Sequence, residues 1–362
     1  MLYLALFALT KVIRYPEPIS AIKLGLAPAS KTPDLMPAHF ISPAKNPTPW
    51  AIGKVELPQS INYAGEDISL NQFFSTTKTN AFLVIKDGKL VFEKYFNGKN
   101  ANSLLPTYSM AKTLTSIMIG QLITQGKLKE SDTFVSILPE YKAGTDFDRI
   151  TIKNLLDMNS GIGVSDNYPS GPSGWGVAIA QIYASTDVYW WLHHNQKMRE
   201  VPGTKPDYRS VNTQLLGMVI KKITGQTVSN YFQDNVWQPI GAESTAKWNV
   251  DHVGGIEKTF CCFNAAAVDY AKVGVMLMNN GMVGTTRVLD TKWIKRMSTS
   301  VEKLEGWGYS AYMWHPFDGI DMLDGLHGQY VFINRATRTV VVKLSDVPTG
   351  LDLAKPTAQV MM

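Results

Sequence analysis

Two β-hairpin signals near opposite ends of the chain, separated by a long helical block, constrain the fold most strongly. In Asn80–Phe96, two runs rich in β-branched and aromatic residues flank Asp87-Gly88, a pair typical of a type I′ turn. A second hairpin is predicted over Gly328–Asp346, with its turn around Arg335–Thr337. Hairpins that bracket a helical block predict an α+β fold, in which the terminal strands form one antiparallel sheet flanked by helices, with an inserted helical region.

Chain length and proline content indicate how the chain is organised. At 362 residues, it can form one composite catalytic domain. We expect residues 61–125 and 286–362 to form the sheet region and residues 126–285 to form an all-helical region. Residues 1–60 contain nine of the nineteen prolines, so this part should be an extended arm over the body.

The arm contains an apolar run, Leu2–Leu9, that bears on location. The run is too short to span a bilayer, and no basic residues precede it. We interpret it as the remnant of a signal or an anchor, or as a short docked helix. A cell-envelope (periplasmic) location is therefore expected, with a cytoplasmic one as the alternative, and any membrane contact should involve this terminus.

Charge and motif content argue against several function classes. The net charge is +5, but the first 60 residues hold six Lys/Arg against three Asp/Glu, and the rest is close to balanced. Nucleic-acid binding therefore has little support. The six histidines form no His-Glu-x-x-His motif, and His193 and His194 face different sides of a helix, so no metal site is expected. No nucleotide-binding glycine pattern occurs, so no cofactor is implied. The oligomeric state stays open.

The two cysteines, Cys261 and Cys262, are adjacent. Neighbouring thiols rarely close a disulfide, and their segment predicts a turn that leads into a buried helix. We expect both to be small buried hydrophobic residues without a redox role.

A serine followed by a lysine three residues later is the most suggestive chemical pattern, although this spacing occurs six times. Only Ser109 and Lys112 open a long apolar helix directly after a strand region and a proline. The first turn of a helix favours developing negative charge, because its N–H groups are free and its dipole is positive there. A buried lysine of lowered pKa can take the proton of the serine hydroxyl, which is otherwise a weak nucleophile. The alternative is an N-capping serine beside a solvated lysine.

Four segments carry a resemblance to a known superfamily. They are "YSMAKTLTS" around Ser109, "ITIKNLLDMNSGIG" (Ile150–Gly163), "VPGTKPDYRSVNTQLLG" (Val201–Gly217) and "DGLHGQYVFIN" (Asp324–Asn334). Over residues 65–345, the chain resembles the serine β-lactamase and penicillin-binding protein superfamily, and within it the class C-like, esterase-like branch that includes 6-aminohexanoate-dimer hydrolases. The resemblance implies a β-lactamase/transpeptidase-like fold.

Carried over by position, the resemblance implies roles for the reacting groups. Ser109 would be the nucleophile, Lys112 its base, and Tyr208 the group that relays or donates protons. The backbone N–H groups of Ser109 and Gln329 would form the oxyanion hole, and Gly328 would let the strand approach the ligand closely. The alternatives are a packing role for the tyrosine and a simple bulge at the glycine.

Other positions bear on the substrate. Ser210 stands where class C enzymes have asparagine, and His327 stands in the third motif, where β-lactamases have Lys-Thr-Gly. A cationic anchor for a β-lactam carboxylate is therefore missing or moved to His327. Tyr168 lies in a Gly/Pro/Ser loop that resembles the substrate-facing loop of the family, although it fits an exposed loop residue as well. Asp166, beside it, is a candidate contact for a substrate ammonium.

These departures favour a serine hydrolase that cleaves an ester or a linear amide through an acyl-enzyme, with a small-molecule ester or amide as its partner. A β-lactamase or D,D-peptidase on the same scaffold is the first alternative. A non-catalytic homologue that binds peptidoglycan fragments or a partner through the same cleft is the second.

Overall fold

The computed structural model describes residues 2–166, 178–348 and 354–361. Within these residues, the helices α1 to α13 are, in chain order, Leu2–Val12, Pro18–Leu26, Leu70–Thr76, Met110–Thr124, Phe134–Ile137, Ile152–Leu156, Ala178–Ala184, Val188–His194, Ser210–Thr224, Val228–Phe232, Ala267–Met278, Thr291–Met297 and Ala354–Met361. The strands β1 to β17 are Ala38–Ile41, Ala51–Ile52, Ser60–Tyr63, Glu66–Ser69, Thr79–Lys86, Lys89–Tyr95, Leu105–Pro106, Ala246–Asn249, Phe263–Ala265, Met282–Val283, Thr286–Arg287, Glu302–Leu304, Trp307–Ser310, Met313–Phe317, Ile320–Gly325, Gln329–Asn334 and Thr339–Ser345.

The largest sheet among the described residues has nine strands, in the order β12-β13-β14-β15-β16-β17-β5-β6-β2. Both predicted hairpins belong to it: β5 pairs with β6, and β16 pairs with β17. Strand β17 pairs antiparallel with β5, so that Val341 lies opposite Val84. The predicted α+β class, with a sheet flanked by helices, is confirmed. The one departure is at the sheet edge, where β2 runs parallel to β6.

Helices that pack on the sheet position the segments around Ser109. Helix α11 packs against β5, β16 and β17. Its Gly274 permits a close approach, because a Cβ there would lie 2.6 Å from a methyl carbon of Val340. Helix α4 contacts both β15 and α9, so it lies between the sheet and the helical region.

A second sheet, with the order β1-β8-β9-β7, was not predicted. Strands β8 and β9 lie within residues 126–285, so this region is not all helical as expected. These strands have two to four residues and pair with distant parts of the chain, so local periodicity does not reveal them. The sheet fixes the approach to Ser109, because Leu105 in β7 lies opposite Ala265 in β9.

The expectation of an extended arm over residues 1–60 is only partly correct. The segment includes α1 and α2, and Pro18 occupies the first turn of α2, where a missing N–H costs no helical hydrogen bond. Farther along, the segment contributes β1 to the small sheet and β2 to the large one. Among the described residues, no helix combines the length and apolar character required to cross a membrane.

The two cysteines correct another expectation. Cys261 and Cys262 are both buried, as expected, but they are joined by a disulfide. Cys262 has a φ of 71°, which places it in a tight turn before β9. The carbonyls of Lys258 and Cys261 each accept a hydrogen bond of 3.0 Å from the indole of Trp248, so the turn is held against the core.

Candidate active site

The turn between β7 and α4 presents Ser109. The backbone N–H and the hydroxyl of Thr107 donate to the carbonyl of Phe263, at 2.8 and 2.9 Å. Tyr108 has a φ of 43°, an uncommon conformation for a residue with a side chain, which marks a sharp turn. Ser109 follows in the cap position of α4, but its side chain makes no capping hydrogen bond. The N-capping alternative is therefore wrong.

Lys112 lies one turn along the same helix and is 2% exposed, so it is not the solvated lysine of the alternative reading. Its Nζ atom donates to the Ser109 hydroxyl at 2.8 Å and to the carbonyl of Phe260 at 3.0 Å. Burial lowers the pKa of Lys112 to about 8, against the opposing effect of two carboxylates, Asp166 and Asp324. About a tenth of such lysines are neutral at pH 7, so a base is available beside the serine.

Tyr208 completes this group. Its hydroxyl interacts with that of Ser109, and its ring centroid lies 4.9 Å from the Nζ atom of Lys112. The ring also stacks on Trp314, with 5.6 Å between centroids. Burial raises the pKa of Tyr208 well above 10, so its phenol stays protonated at neutral pH. The structure thus brings together the three predicted catalytic residues.

The loop that carries Tyr208 is fixed from both sides. The N–H of Asp207 donates to the carbonyl of Met158 at 2.8 Å. The buried guanidinium of Arg209 donates to the carbonyl of Val164 at 3.0 Å and forms an ion pair with Asp207. These contacts tie the tyrosine to the "DMNSGIG" segment, which explains why the two motifs occur together.

Ser210 and Asp166 are paired with each other. The N–H of Ser210 donates to one carboxylate oxygen at 2.9 Å, and its hydroxyl donates to the other. Asp166 therefore caps the first turn of α9, and the Ser210 hydroxyl points to this carboxylate. The contact of Asp166 with a substrate ammonium stays a prediction. Burial raises the pKa of Asp166, while the charge of Lys112 opposes that rise.

The β15–β16 turn corresponds to the third motif. His327 has a φ of 67°, its ring packs edge-on against Tyr108 at 4.7 Å, and its Nδ1 atom lies 2.7 Å from the carbonyl of Val347. Burial lowers the pKa of His327, which favours the neutral imidazole at pH 7. This argues against His327 as the cationic anchor, and a substrate-binding role for His327 stays a prediction.

Gly328 and Gln329 make contacts that hold this turn against the sheet. A Cβ at Gly328 would lie 3.1 Å from side-chain carbons of Ser345 and Val347, so this glycine allows packing within the sheet. The buried amide of Gln329 donates to the carbonyls of His327 and Ser345, at 3.1 and 2.7 Å, and so holds the turn. An oxyanion role for the Gln329 N–H stays a prediction.

Sequence reasoning missed Gly325, which lies opposite Gln329 at the end of β15. A Cβ at Gly325 would lie 2.2 Å from the carbonyl oxygen of Thr107 and 3.3 Å from the backbone nitrogen of Ser109. The main chain of β15 can therefore approach Ser109 only because this residue has no side chain. Gly325 lies inside the third motif, and this position was the sequence signal that could have identified it.

Two further predictions concern Tyr168 and metal ions. Tyr168 lies outside the described residues. Among the residues that are described, no cluster of three or more His, Cys, Asp or Glu side chains could hold a metal ion. The expectation that the reaction needs no metal or cofactor stays a prediction.

The chain is similar to a known family and to several known proteins. The model of the Beta-lactamase family matches residues 75–361. The 6-aminohexanoate-dimer hydrolase of Paenarthrobacter ureafaciens is 25% identical over 308 residues, which cover 77% of this chain and 75% of that protein. A solved structure from Bacillus anthracis, provisionally assigned as a 6-aminohexanoate-dimer hydrolase, has a TM-score of 0.84 at 21% identity, covering 96% of this chain and 93% of its own. A family VIII carboxylesterase has a TM-score of 0.62 at 17% identity, covering 80% and 94% of the two chains.

The fold and the site define a hydrolase of the serine β-lactamase and penicillin-binding protein type, which confirms the predicted superfamily. The chain belongs to the Beta-lactamase family. Its relatives are consistent with the predicted hydrolysis of an ester or an amide.

Proposed function

We propose that the protein is a serine hydrolase that cleaves an ester or a linear amide through an acyl-enzyme formed on Ser109. One observation carries the proposal: the buried amine of Lys112 lies 2.8 Å from the Ser109 hydroxyl, inside a group that also includes Tyr208. A nucleophile needs a base within hydrogen-bond reach, and the base must be partly unprotonated at working pH. Lys112 satisfies both requirements.

In acylation, the neutral amine of Lys112 takes the proton of the Ser109 hydroxyl as its oxygen attacks the substrate carbonyl. The negative charge that develops on the carbonyl oxygen is stabilised by the backbone N–H groups of Ser109 and Gln329, the latter opposite Gly325 at the end of β15. Each donor of this kind contributes roughly 3 kcal/mol in the transition state.

The tetrahedral intermediate collapses when its leaving nitrogen or oxygen receives a proton. Tyr208 is placed to deliver it, because the phenol is protonated, touches Ser109 and lies beside Lys112. The protonated amine then returns a proton to the tyrosine. In deacylation, water attacks the ester on Ser109 and gives a proton to neutral Lys112. The protonated amine then passes a proton to the leaving serine oxygen, which restores the neutral amine and the Ser109 hydroxyl.

The residues of the third motif favour an uncharged ester or linear amide as the substrate. Leu326, His327 and Gly328 occupy the positions where β-lactamases carry Lys-Thr-Gly, and burial keeps the histidine neutral at pH 7. These three residues therefore provide no positive charge for the carboxylate of a β-lactam. An uncharged ester or linear amide does not require one, and relatives named as a carboxylesterase and a 6-aminohexanoate-dimer hydrolase support this choice.

A fluorophosphonate probe tests the proposal, because it labels an activated serine. We expect labelling at Ser109 and none in Ser109→Ala, while Ser116→Ala, which alters a buried serine of the same helix, should label like the wild type. A panel of p-nitrophenyl esters, linear amides including the 6-aminohexanoate dimer, and β-lactams then identifies the substrate. Folded protein that neither labels nor turns over any of these would support the non-catalytic alternative.

A further inference from the structure

The first 26 residues concentrate exposed apolar side chains. Among the described residues, eighteen large hydrophobic side chains are exposed, and ten of them lie in or next to α1 and α2: Tyr3, Leu4, Leu6, Phe7, Leu9, Val12, Ile13, Ile19, Ile22 and Leu26. A soluble surface scatters such residues singly, so a cluster of this size marks a surface that another apolar phase covers.

The distribution of these side chains around α1 indicates what kind of phase that is. Leu4 and Leu9 are 70% and 52% exposed, and five residues of helix place them about 140° apart. Tyr3, Leu6 and Phe7 are exposed on the remaining arc of the helix, on the other side of these two leucines. A protein groove covers one stripe of a helix, at spacings of three and four residues. A helix that is apolar on all sides instead suits a lipid environment, which surrounds it.

The length of α1 limits how deeply it can enter a bilayer. Its eleven residues span about 16 Å, roughly half of the 30 Å hydrocarbon core of a bilayer. The helix therefore fits within one leaflet. Its first nine residues carry no charged side chain, and the charges begin at Lys11.

Charge around the two helices complements an anionic surface. Lys11, Arg14, Lys23 and Lys31 are all exposed, whereas Glu17 is the one acidic residue in residues 1–31, which leaves four positive charges against one negative. The carboxylate of Glu17 accepts from the N–H groups of Ile19 and Ser20 and from the Tyr3 hydroxyl, so it joins the two helices. Cations just beyond the apolar run lie at the level where lipid phosphates would be.

The helices are also attached to the body. The carbonyl of Arg14 accepts a hydrogen bond of 2.8 Å from the N–H of Thr186. Farther along, Ser30 donates to the carboxylate of Asp346 from both its N–H and its hydroxyl, at 2.7 and 2.8 Å. Docking of α1 would therefore hold the catalytic body at the surface.

We propose that α1 and α2 form a membrane-docking surface, in which α1 enters one leaflet of an anionic bilayer and the flanking cations contact its phosphates. Flotation of the full-length protein with vesicles of phosphatidylglycerol and phosphatidylcholine tests this. We expect the wild type to float with these vesicles, to bind phosphatidylcholine alone more weakly, and to be partly released by salt. The double variant Leu4→Asp/Leu9→Asp should bind at least about tenfold less.

The double variant Val253→Asp/Val301→Asp is the matched control, because these residues are 87% and 47% exposed on the body and their change adds the same two negative charges without touching α1. This variant should float like the wild type. All variants should hydrolyse a soluble ester at the same rate, which separates docking from folding and from the proposed function. Wild-type protein that stays unbound, or binding that survives the double substitution, would overturn the proposal. The proposal would also be overturned if the wild type formed a dimer without binding vesicles and the double variant were monomeric.

Discussion

The ring of Tyr208 lies 4.9 Å from the Nζ atom of Lys112, and the two side chains meet at the hydroxyl of Ser109. Burial shifts their pKa values in opposite directions: that of Lys112 falls to about 8, and that of Tyr208 rises well above 10. At neutral pH the lysine can therefore accept a proton, whereas the tyrosine can only donate one. The same buried environment therefore suits Lys112 to accept a proton and Tyr208 to donate one.

Replacement of Tyr208 by phenylalanine tests its role as the acid. Tyr208→Phe should lower kcat by about 10²- to 10⁴-fold, because the leaving group loses its proton donor. The melting temperature should change little, since the ring still stacks on Trp314. Tyr309→Phe is the control, because Tyr309 packs on the same tryptophan and its hydroxyl has no hydrogen-bond partner among the described residues. Wild-type kcat in Tyr208→Phe would exclude the assigned role.

The pH dependence of kcat/KM should report Lys112. Activity requires the neutral amine, so kcat/KM should rise with pH and level off above about 8. The charge of Asp166 raises the pKa of Lys112. Asp166→Asn removes that charge, disfavours the protonated amine and should move the midpoint to lower pH. Asp318→Asn, at an exposed position in the β14–β15 turn, should leave the midpoint unchanged. A midpoint that stays in place or rises in Asp166→Asn would contradict this electrostatic coupling.

The close approach of β15 to the nucleophile can be tested at Gly325. A Cβ there would meet the carbonyl oxygen of Thr107 at 2.2 Å, and backbone cannot yield as a flexible side chain can. Gly325→Ala should therefore displace the strand and lower kcat/KM by at least about 10²-fold. Gly319→Ala serves as the control. Gly319 lies in the turn before β15, has a φ of 76° and would have no atom within 4 Å of an added Cβ. This substitution should lower stability slightly and leave kcat/KM intact. Equal activity in the two variants would mean that Gly325 is not required.

A second buried amine should make stability depend on pH. Lys343 is fully buried, and burial lowers its pKa to about 7 from the ordinary 10.5. Between about pH 7 and 10, the unfolded chain binds a proton at this lysine that the folded chain does not, so the free energy of unfolding rises with pH. The slope is about 1.4 kcal/mol per pH unit for one such group.

Lys343→Met isolates this contribution. The variant should show a smaller rise in the free energy of unfolding between about pH 7 and 9, because the group that titrates has been removed. Urea unfolding at both pH values measures the difference. The change in slope is the readout, since loss of the hydrogen bond from Lys343 to Ser345 affects stability at every pH. Lys89→Met, at an exposed lysine of β6, should keep the wild-type slope. An unchanged slope in Lys343→Met would refute the prediction.

The features that could be predicted from the sequence depend on residues that are close together along the chain. The hairpin of β5 and β6 follows from Asp87-Gly88 between two β-rich runs, and its register follows from the turn. The Ser109–Lys112 contact follows from a spacing of three residues on one helix, once the position of that helix is chosen. The place of Tyr208 came from resemblance alone, because a loop 99 residues away has no local signal for it.

The features that were missed depend on contacts between distant segments. Asp166 and Ser210 are 44 residues apart, and no local pattern predicts that the carboxylate would cap the other segment's helix. Strands β8 and β9 are too short to show alternation. The disulfide between Cys261 and Cys262 was rejected because adjacent thiols seldom pair, but a positive φ at Cys262 places the two in one tight turn.

The pairing of β5 with β17 has a consequence for synthesis. Val84 pairs with Val341, so the sheet beside Ser109 cannot close until residue 341 has left the ribosome. Such distant pairings are slow to form and leave unpaired strand edges exposed in the meantime. A nascent chain that already contains Ser109 and Lys112 therefore still lacks the closed sheet beside them until β17 has been synthesised.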